Sequence, residues 1–240
     1  MKTLAIAVVG TASLVASADA GFLGFVGFVR TSGAYKIIDV FAGVQNASDK
    51  FLNVYNLNAA ATSGFYQQAG LATKTWKPDA ASFNSTRSSI DSFMTAGTYS
   101  GGAYGGEYYA STNTNGDPNF TGTSWNATPA SAAATTIPAL AGWYTGDPTS
   151  VDNTTESLAA VAGDRVNASG AASASFGIWC AHLVVTSNTT TVSWDAFTSI
   201  KDGVTGGTSQ AQSFTANFLP APGAIALLGL AGFASRRRRA

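Results

Sequence analysis

The chain has 240 residues, thirteen basic and thirteen acidic, with one cysteine and one histidine. Charged residues make up only 11 % of it, which excludes the dense basic face that nucleic-acid binding needs. A lone cysteine excludes an internal disulfide, and two His/Cys residues cannot supply the three or four ligands of a His/Cys metal centre, so no cofactor is expected and burial must carry stability.

At the front, Lys2 precedes an apolar stretch from Leu4 to Val15, and Ala18-Asp19-Ala20 follows. A short positive region, an apolar run too short to span a bilayer and a small-x-small site form the pattern of a secretory signal peptide. The expectation is a signal helix over residues 1–20, with signal peptidase reading Ala18 and Ala20 and cutting before Gly21. Phe22 to Val26 is also apolar, which blurs that boundary.

The next two hundred residues lack a sustained helical period and alternate β-rich runs with turn residues. Residues 34–44 place Tyr35, Ile37 and Phe41 in one phase and Ile38, Val40 and Val44 in the other, as a central strand would. A turn at residues 45–49 and a run at 51–57 predict a hairpin with it. Further strands are expected at 64–68, 89–98, 104–110 and 140–144. Residues 111–138 read as a long polar loop with a short strand near Trp125, and 147–170 as polar with a strand or helical turn at 157–162. The strongest run, 174–186, is followed by Ser187-Asn188 and the β-branched run 189–197, which predicts a second hairpin. A last strand is expected at 211–218. Together these predict an all-β passenger over 21–218, an antiparallel β-sandwich of jelly-roll-like type. Seven Asn-x-Ser/Thr triplets, at Asn46, Asn84, Asn119, Asn126, Asn153, Asn167 and Asn188, read as polar surface turns.

Residues 219–240 differ from everything before them. Pro220 and Pro222 bar a helix until about Gly223, after which an uncharged Gly/Ala/Leu run reaches Ser235 and four arginines, Arg236, Arg237, Arg238 and Arg239, close the segment. At 1.5 Å per residue the run reaches about 20 Å, short of a ~30 Å hydrocarbon core, so it is a marginal transmembrane helix whose arginines stay cytoplasmic. Proline pair, apolar helix and terminal arginines make the tail PAPGAIALLGLAGFASRRRR resemble the PEP-CTERM sorting signal, with Ala221 where that family usually has Glu. The resemblance implies removal of the tail by an exosortase, a membrane-embedded cysteine transpeptidase, and delivery to the cell surface or extracellular matrix. KIIDVFAGV, FLNVYNL, SIDSFMTAG and IWCAHLVV are similar to a loose set of β-sandwich passengers that precede such tails; that similarity implies no catalytic residues. Without the two ends, eight basic residues face twelve acids, so the balanced total hides a passenger near −4.

Candidates for chemistry within the passenger are few. Cys180 and His182 lie two apart on one predicted strand, but i and i+2 side chains stand about 7 Å apart, too far for a nucleophile–base hydrogen bond. No Asp or Asn is near in sequence to orient the ring, so a core-edge histidine is the expectation. Residues 113–119 space oxygen side chains around Gly116 as a calcium loop does, but with one carboxylate and no closing Glu, which favours a polar turn. Asp147, Asp152, Glu156 and Asp164 cluster in sequence, and Asp39 and Asp91 sit in strand-like runs; a glycoside hydrolase would need two of these in one cleft. Residues 101–106 are Gly-rich but lack the Lys and Ser/Thr of a phosphate loop. Tyr99, Tyr104, Tyr108, Tyr109, Trp125, Trp143 and Tyr144 lie in or beside Gly/Asn-rich loops, where exposed rings would stack on sugars. Ice binding would need regular Thr ladders, and Thr189-Thr190-Thr191 is a single run. The reading is an exported, non-enzymatic surface or matrix protein held in the membrane only until processed. Its alternative is a carbohydrate-binding module with an extracellular polysaccharide partner.

Overall fold

The computed structural model describes residues 21–68, 75–78, 85–98, 107–120, 125, 135–149, 153–167, 173–189, 191–201, 203, 208–210 and 214–217. Both expected terminal helices fall outside this set, with Ala18, Ala20, Pro220, Pro222 and Arg236 to Arg239. Among the described residues no helix is long and apolar enough to cross a membrane.

The fold is all-β. In chain order the strands are β1 (Phe22–Ser32), β2 (Tyr35–Val44), β3 (Lys50–Ala61), β4 (Phe93–Met94), β5 (Thr114–Gly116), β6 (Ala141–Thr145), β7 (Glu156–Ser157), β8 (Asp164–Asn167), β9 (Phe176–Thr186), β10 (Val192–Lys201), β11 (Thr208–Gln210) and β12 (Phe214–Asn217), with a 3-10 turn at Leu158–Ala160. One sheet runs β4-β9-β2-β1-β8, with β7 also on β9; the other runs β11-β10-β3-β6-β5, with β12 also on β10. All these pairings are antiparallel.

The first strand was hidden in the apolar stretch beside the signal. Its hairpin to β2 turns at Gly33-Ala34, where Gly33 has φ 57°. Glycine at the first central position is what a two-residue hairpin of this hand requires.

Both expected hairpins are instead arches between sheets. β2 has β1 on one side and β9 on the other, so no edge is left for β3, which pairs with β10 and β6. β9 and β10 likewise lie in different sheets. The two arches run side by side, because β2 pairs with β9 and β3 pairs with β10. Residues 64–68 form no strand; they are held by Phe65 N–H to Thr135 O and Tyr66 N–H to Val184 O. Of residues 89–98 only β4 pairs as a strand, and 107–110 make isolated bridges.

β10 shows why the sheets face each other. Val192, Trp194, Ala196, Thr198 and Ile200 are buried, and each residue between them is partly exposed. The period of two puts one face inward. Trp194 meets Phe25 of the opposite sheet edge-on at 5.6 Å and Trp143 at 6.0 Å, which marks the centre of the core.

β2 and β9 break this alternation, being buried on both faces. Their second face, carrying Asp39, Phe41, Trp179 and His182, is covered by chain from residues 85–98, 107–110 and 156–161. Gly177 makes room for that cover, since a Cβ there would lie 2.6 Å from Leu158 Cδ2 and 3.1 Å from Phe41 Cβ. Arg30, Asp39 and His182 of the sheet meet Arg87 and Glu156 of the cover here.

Candidate functional site

Asp39 stands opposite His182 in the β2–β9 register, and His182 stands opposite Phe93 on β4. One residue further along β9 the register slips: Val40 faces Ala181 but Phe41 faces Trp179, leaving Cys180 as the extra residue of a β-bulge. The bulge breaks the simple alternation, so Trp179 and His182 share the covered face. Cys180 instead donates to Val40 O at 3.2 Å.

Both ring nitrogens of His182 are engaged. Nδ1 lies 2.6 Å from Asp39 Oδ1 and Nε2 lies 2.9 Å from Ser89 O. The ring stacks on Phe93, centroids 4.8 Å apart, and meets Trp179 edge-on. Asp39 and His182 are both fully buried. Burial pushes the Asp39 carboxyl up, but the positive charges of His182, Arg30 and Arg87 outweigh it and hold the group below the ordinary value. An ionised Asp39 and a carbonyl are both pure acceptors, so the imidazole donates through both nitrogens and is positively charged.

The network continues outward. Arg30 on β1 gives one Nη to Asp39 Oδ2 and the other to the Arg87 carbonyl. Arg87 gives Nη2 to Glu156 Oε1, and its guanidinium lies over Phe41, Tyr108 and Trp179 at 5.2, 4.2 and 4.9 Å. Burial raises the Glu156 carboxyl, and Arg87 offsets part of the rise. A cavity of about 280 Å³ opens above the two arginines, bordered by Ser88, Tyr108, Val161 and Ala162.

Several expectations change here. The histidine is fully buried rather than at a core edge, and Asp39, 143 residues away, orients it. A Cys180–His182 pair is not formed, because both ring nitrogens are spent elsewhere. Burial also pushes the Cys180 thiol far above its ordinary value. Asp39 and Glu156 do share one cluster, yet neither borders the cavity, since the arginines stand in front of them. Asp91 is buried elsewhere and its carboxyl is pushed up to about 7 by burial, which the backbone N–H of Gln68 and Ser92 partly offset. Asp164 starts β8, Asp147 holds a turn through Thr149, and Asp152 lies outside the described residues.

In the turn at 113–119, Asp117 Oδ1 accepts from the N–H groups of Asn119 and Phe120 and Thr114 Oγ1 accepts from Ala96 N–H. Among the described residues no group of three or more His, Cys, Asp or Glu side chains could hold a metal ion.

The five of these rings that lie among the described residues do not form a platform. Tyr109, Trp125 and Trp143 are buried, Tyr99 and Tyr104 lie outside the described residues, and Tyr108 and Tyr144 are exposed by 43 % and 45 %. Tyr144 is on β6 of the second sheet, whereas Tyr108 lies over the Arg87 guanidinium on the cover of the first. Thr189 is buried and Thr190 lies outside the described residues. Asn153 is also buried, contrary to a surface turn: its Oδ1 accepts from Phe51 N–H at 3.0 Å and its Nδ2 donates to Phe51 O at 2.5 Å.

No family model matches the chain, and neither a curated protein nor a solved structure does.

Proposed function

We propose that this chain is an exported, non-enzymatic cell-surface or matrix protein. A signal peptide is removed before Gly21, and the tail at 219–240 holds the jelly-roll-like passenger at the membrane for an exosortase-type transpeptidase. One observation carries the front half of this reading. Gly21 already belongs to the fold, its carbonyl accepting from Gln45 N–H at 2.7 Å. A side chain at Gly21 would collide with the Asp49 carboxylate, which is fully buried and, among the described residues, accepts from the backbone N–H groups of Asn46 and Gly203. Among the described residues no Lys, Arg or His side chain pairs with it. Cleavage at Ala20 creates an α-ammonium at Gly21, beside that carboxylate, and so supplies the missing cation.

The back half rests on the resemblance of the tail. Asp39, Glu156 and His182 are held in one network behind Arg30 and Arg87, as in a structural cluster, and the Cys180 thiol is protonated and enclosed. These arrangements support binding or display over catalysis.

Fractionation of the native host tests the reading. The intact chain should reach the surface or matrix. An Ala18→Asp/Ala20→Phe variant should remain at the inner membrane uncut, and a chain ending at residue 218 should be lost to the medium. Equal surface display of all three would sink the proposal.

A further inference from the structure

We infer that the outer face of the second sheet, where β5, β6, β3 and β10 lie side by side, binds a neutral polysaccharide along an aromatic strip. Alternate side chains of these strands make the core, so the ones between them face out. Tyr144 on β6 stands opposite Asn115 on β5 and Asn53 on β3, and Asn53 stands opposite Ser199 on β10. Two residues along, Tyr55 on β3 pairs with Phe197 on β10, and their rings stack with centroids 5.4 Å apart and planes 25° off parallel. Tyr144 and Tyr55 are therefore diagonal neighbours, about 7–8 Å apart at the backbone, and the strip crosses β6, β3 and β10. Tyr144 is 45 % exposed, and Tyr55 and Phe197 are each partly exposed. Accessible rings set in a sheet offer a stacking partner to the apolar side of a pyranose.

Beside the rings lie hydrogen-bonding groups rather than more apolar surface. A Cβ at Gly142 would lie 2.6 Å from Asp117 Oδ2 and 3.1 Å from Tyr55 Cα, so the bare glycine lets the Asp117 carboxylate come alongside Tyr55. Asp117 Oδ1 holds its own turn, and among the described residues no donor meets Oδ2. A carboxylate oxygen and the hydroxyls on the rim of a sugar ring are complementary. Asn53 Oδ1 accepts from Ser199 N–H at 3.0 Å, which fixes its NH₂ as a donor; Asn115 Nδ2 donates to Asn113 O at 3.2 Å, which fixes its oxygen as an acceptor. The backbone is strained on the same patch. Tyr55 and Asn56 together face Gly142 in a β-bulge, since Val54 pairs with Trp143 and Leu57 with Ala141. Asn56 has φ 50° and Leu140, directly before β6, has φ 58°; among the described residues these are the two non-glycine residues with positive φ. Strain of this kind gathers at ligand-holding surfaces. Asp117 beside Tyr55 and Asp195 two residues from Phe197 make the charge next to the strip negative, which disfavours a polyanion. The amides and the carboxylate interrupt the rings, which disfavours a protein partner that needs a continuous apolar patch. Export and processing play no part in this binding, so purified protein tests it alone.

Isothermal titration of the purified chain with cellohexaose, xylohexaose, mannohexaose and galactohexaose, and with trigalacturonic acid as the anionic control, tests the face. At least one neutral hexaose should bind saturably, about tenfold or more tighter than the acidic sugar. Tyr144→Ala should weaken that binding about tenfold, and Tyr144→Phe, which keeps the ring, should hold it within about twofold. Asp117→Asn keeps Oδ1 for the turn but puts a donor in place of Oδ2, and should weaken binding about tenfold. Tyr108→Ala, on the cover of the first sheet, should leave binding unchanged. Circular dichroism should show each variant folded. Absence of saturable binding to all four neutral sugars would overturn the inference. So would binding that survives Tyr144→Ala in a folded protein, tighter binding of the acidic sugar, or an equal loss in Tyr108→Ala. Dimerisation in sedimentation velocity that Tyr144→Ala abolishes would assign the face to a second copy of the chain and overturn it too.

Discussion

Asp39→Asn keeps the side-chain shape and removes one charge from the centre of the cluster. In the native fold Asp39 is fully buried, with His182 Nδ1 at 2.6 Å on one oxygen and Arg30 on the other. An asparagine oxygen can still accept from His182, but its NH₂ then faces the Arg30 donor. Removing one partner of a buried ion pair costs about 3–5 kcal/mol, and the surviving acceptor places this variant near the lower figure, about 3 kcal/mol. That is a large share of a total near 5–15 kcal/mol. Urea unfolding followed by the fluorescence of the five tryptophans reads it directly. The acid limb carries a second signature. The folded Asp39 carboxyl is held below its unfolded value of 3.8, so its contribution is complete above that pH and is lost as pH falls toward the folded value. The variant should lose this part of the acid dependence. A double-mutant cycle with His182→Asn should show coupling above about 1 kcal/mol. A cost below about 0.5 kcal/mol at neutral pH, with no coupling, would refute the account of the cluster.

Asp91 should act in the opposite direction. Its folded carboxyl titrates at about 7 against 3.8 unfolded, so its protonated form favours the fold. Stability should be full below pH 3.8 and decline as pH rises to about 7, by at most about 4 kcal/mol; Asp91→Asn should remove the decline. Cys180 should resist thiol reagents in the folded protein and react at full rate in 8 M urea, about the concentration that unfolds most domains, because its thiol is buried and protonated. Gly177→Val should cost about 1–3 kcal/mol in the same urea assay, since its Cβ must displace Leu158. Acetylating the amine of a chain that starts at Gly21 should cost about 1–3 kcal/mol, and the effect should vanish in Asp49→Asn.

What was legible in the sequence follows from the range of each signal. β10 announces itself by period two, and β2 and β9 by apolar residues in both phases. β1 was obscured because its apolar residues adjoin those of the signal, although Ser32-Gly33-Ala34 between two β-rich runs is a hairpin signal. The arches were misread because short turns between strands suit hairpins and arches equally, and the choice depends on whether the first strand has a free edge. The Asp39–His182 pair depends on a register across 143 residues, and the bulge at Cys180 shifts which side chains share a face. A trace of it was visible: each is an ionisable residue flanked by apolar residues in the buried part of its strand, which demands a partner of opposite charge. Arg87 had no such trace, because it sits in a turn and reaches its site only through the cover.

The central claim is export with processing at both ends, and the intact mass of the mature protein from its native host tests it most directly. The account predicts a chain that begins at Gly21 and has lost the segment containing Arg236 to Arg239. A mass corresponding to Met1 through Ala240 would contradict it.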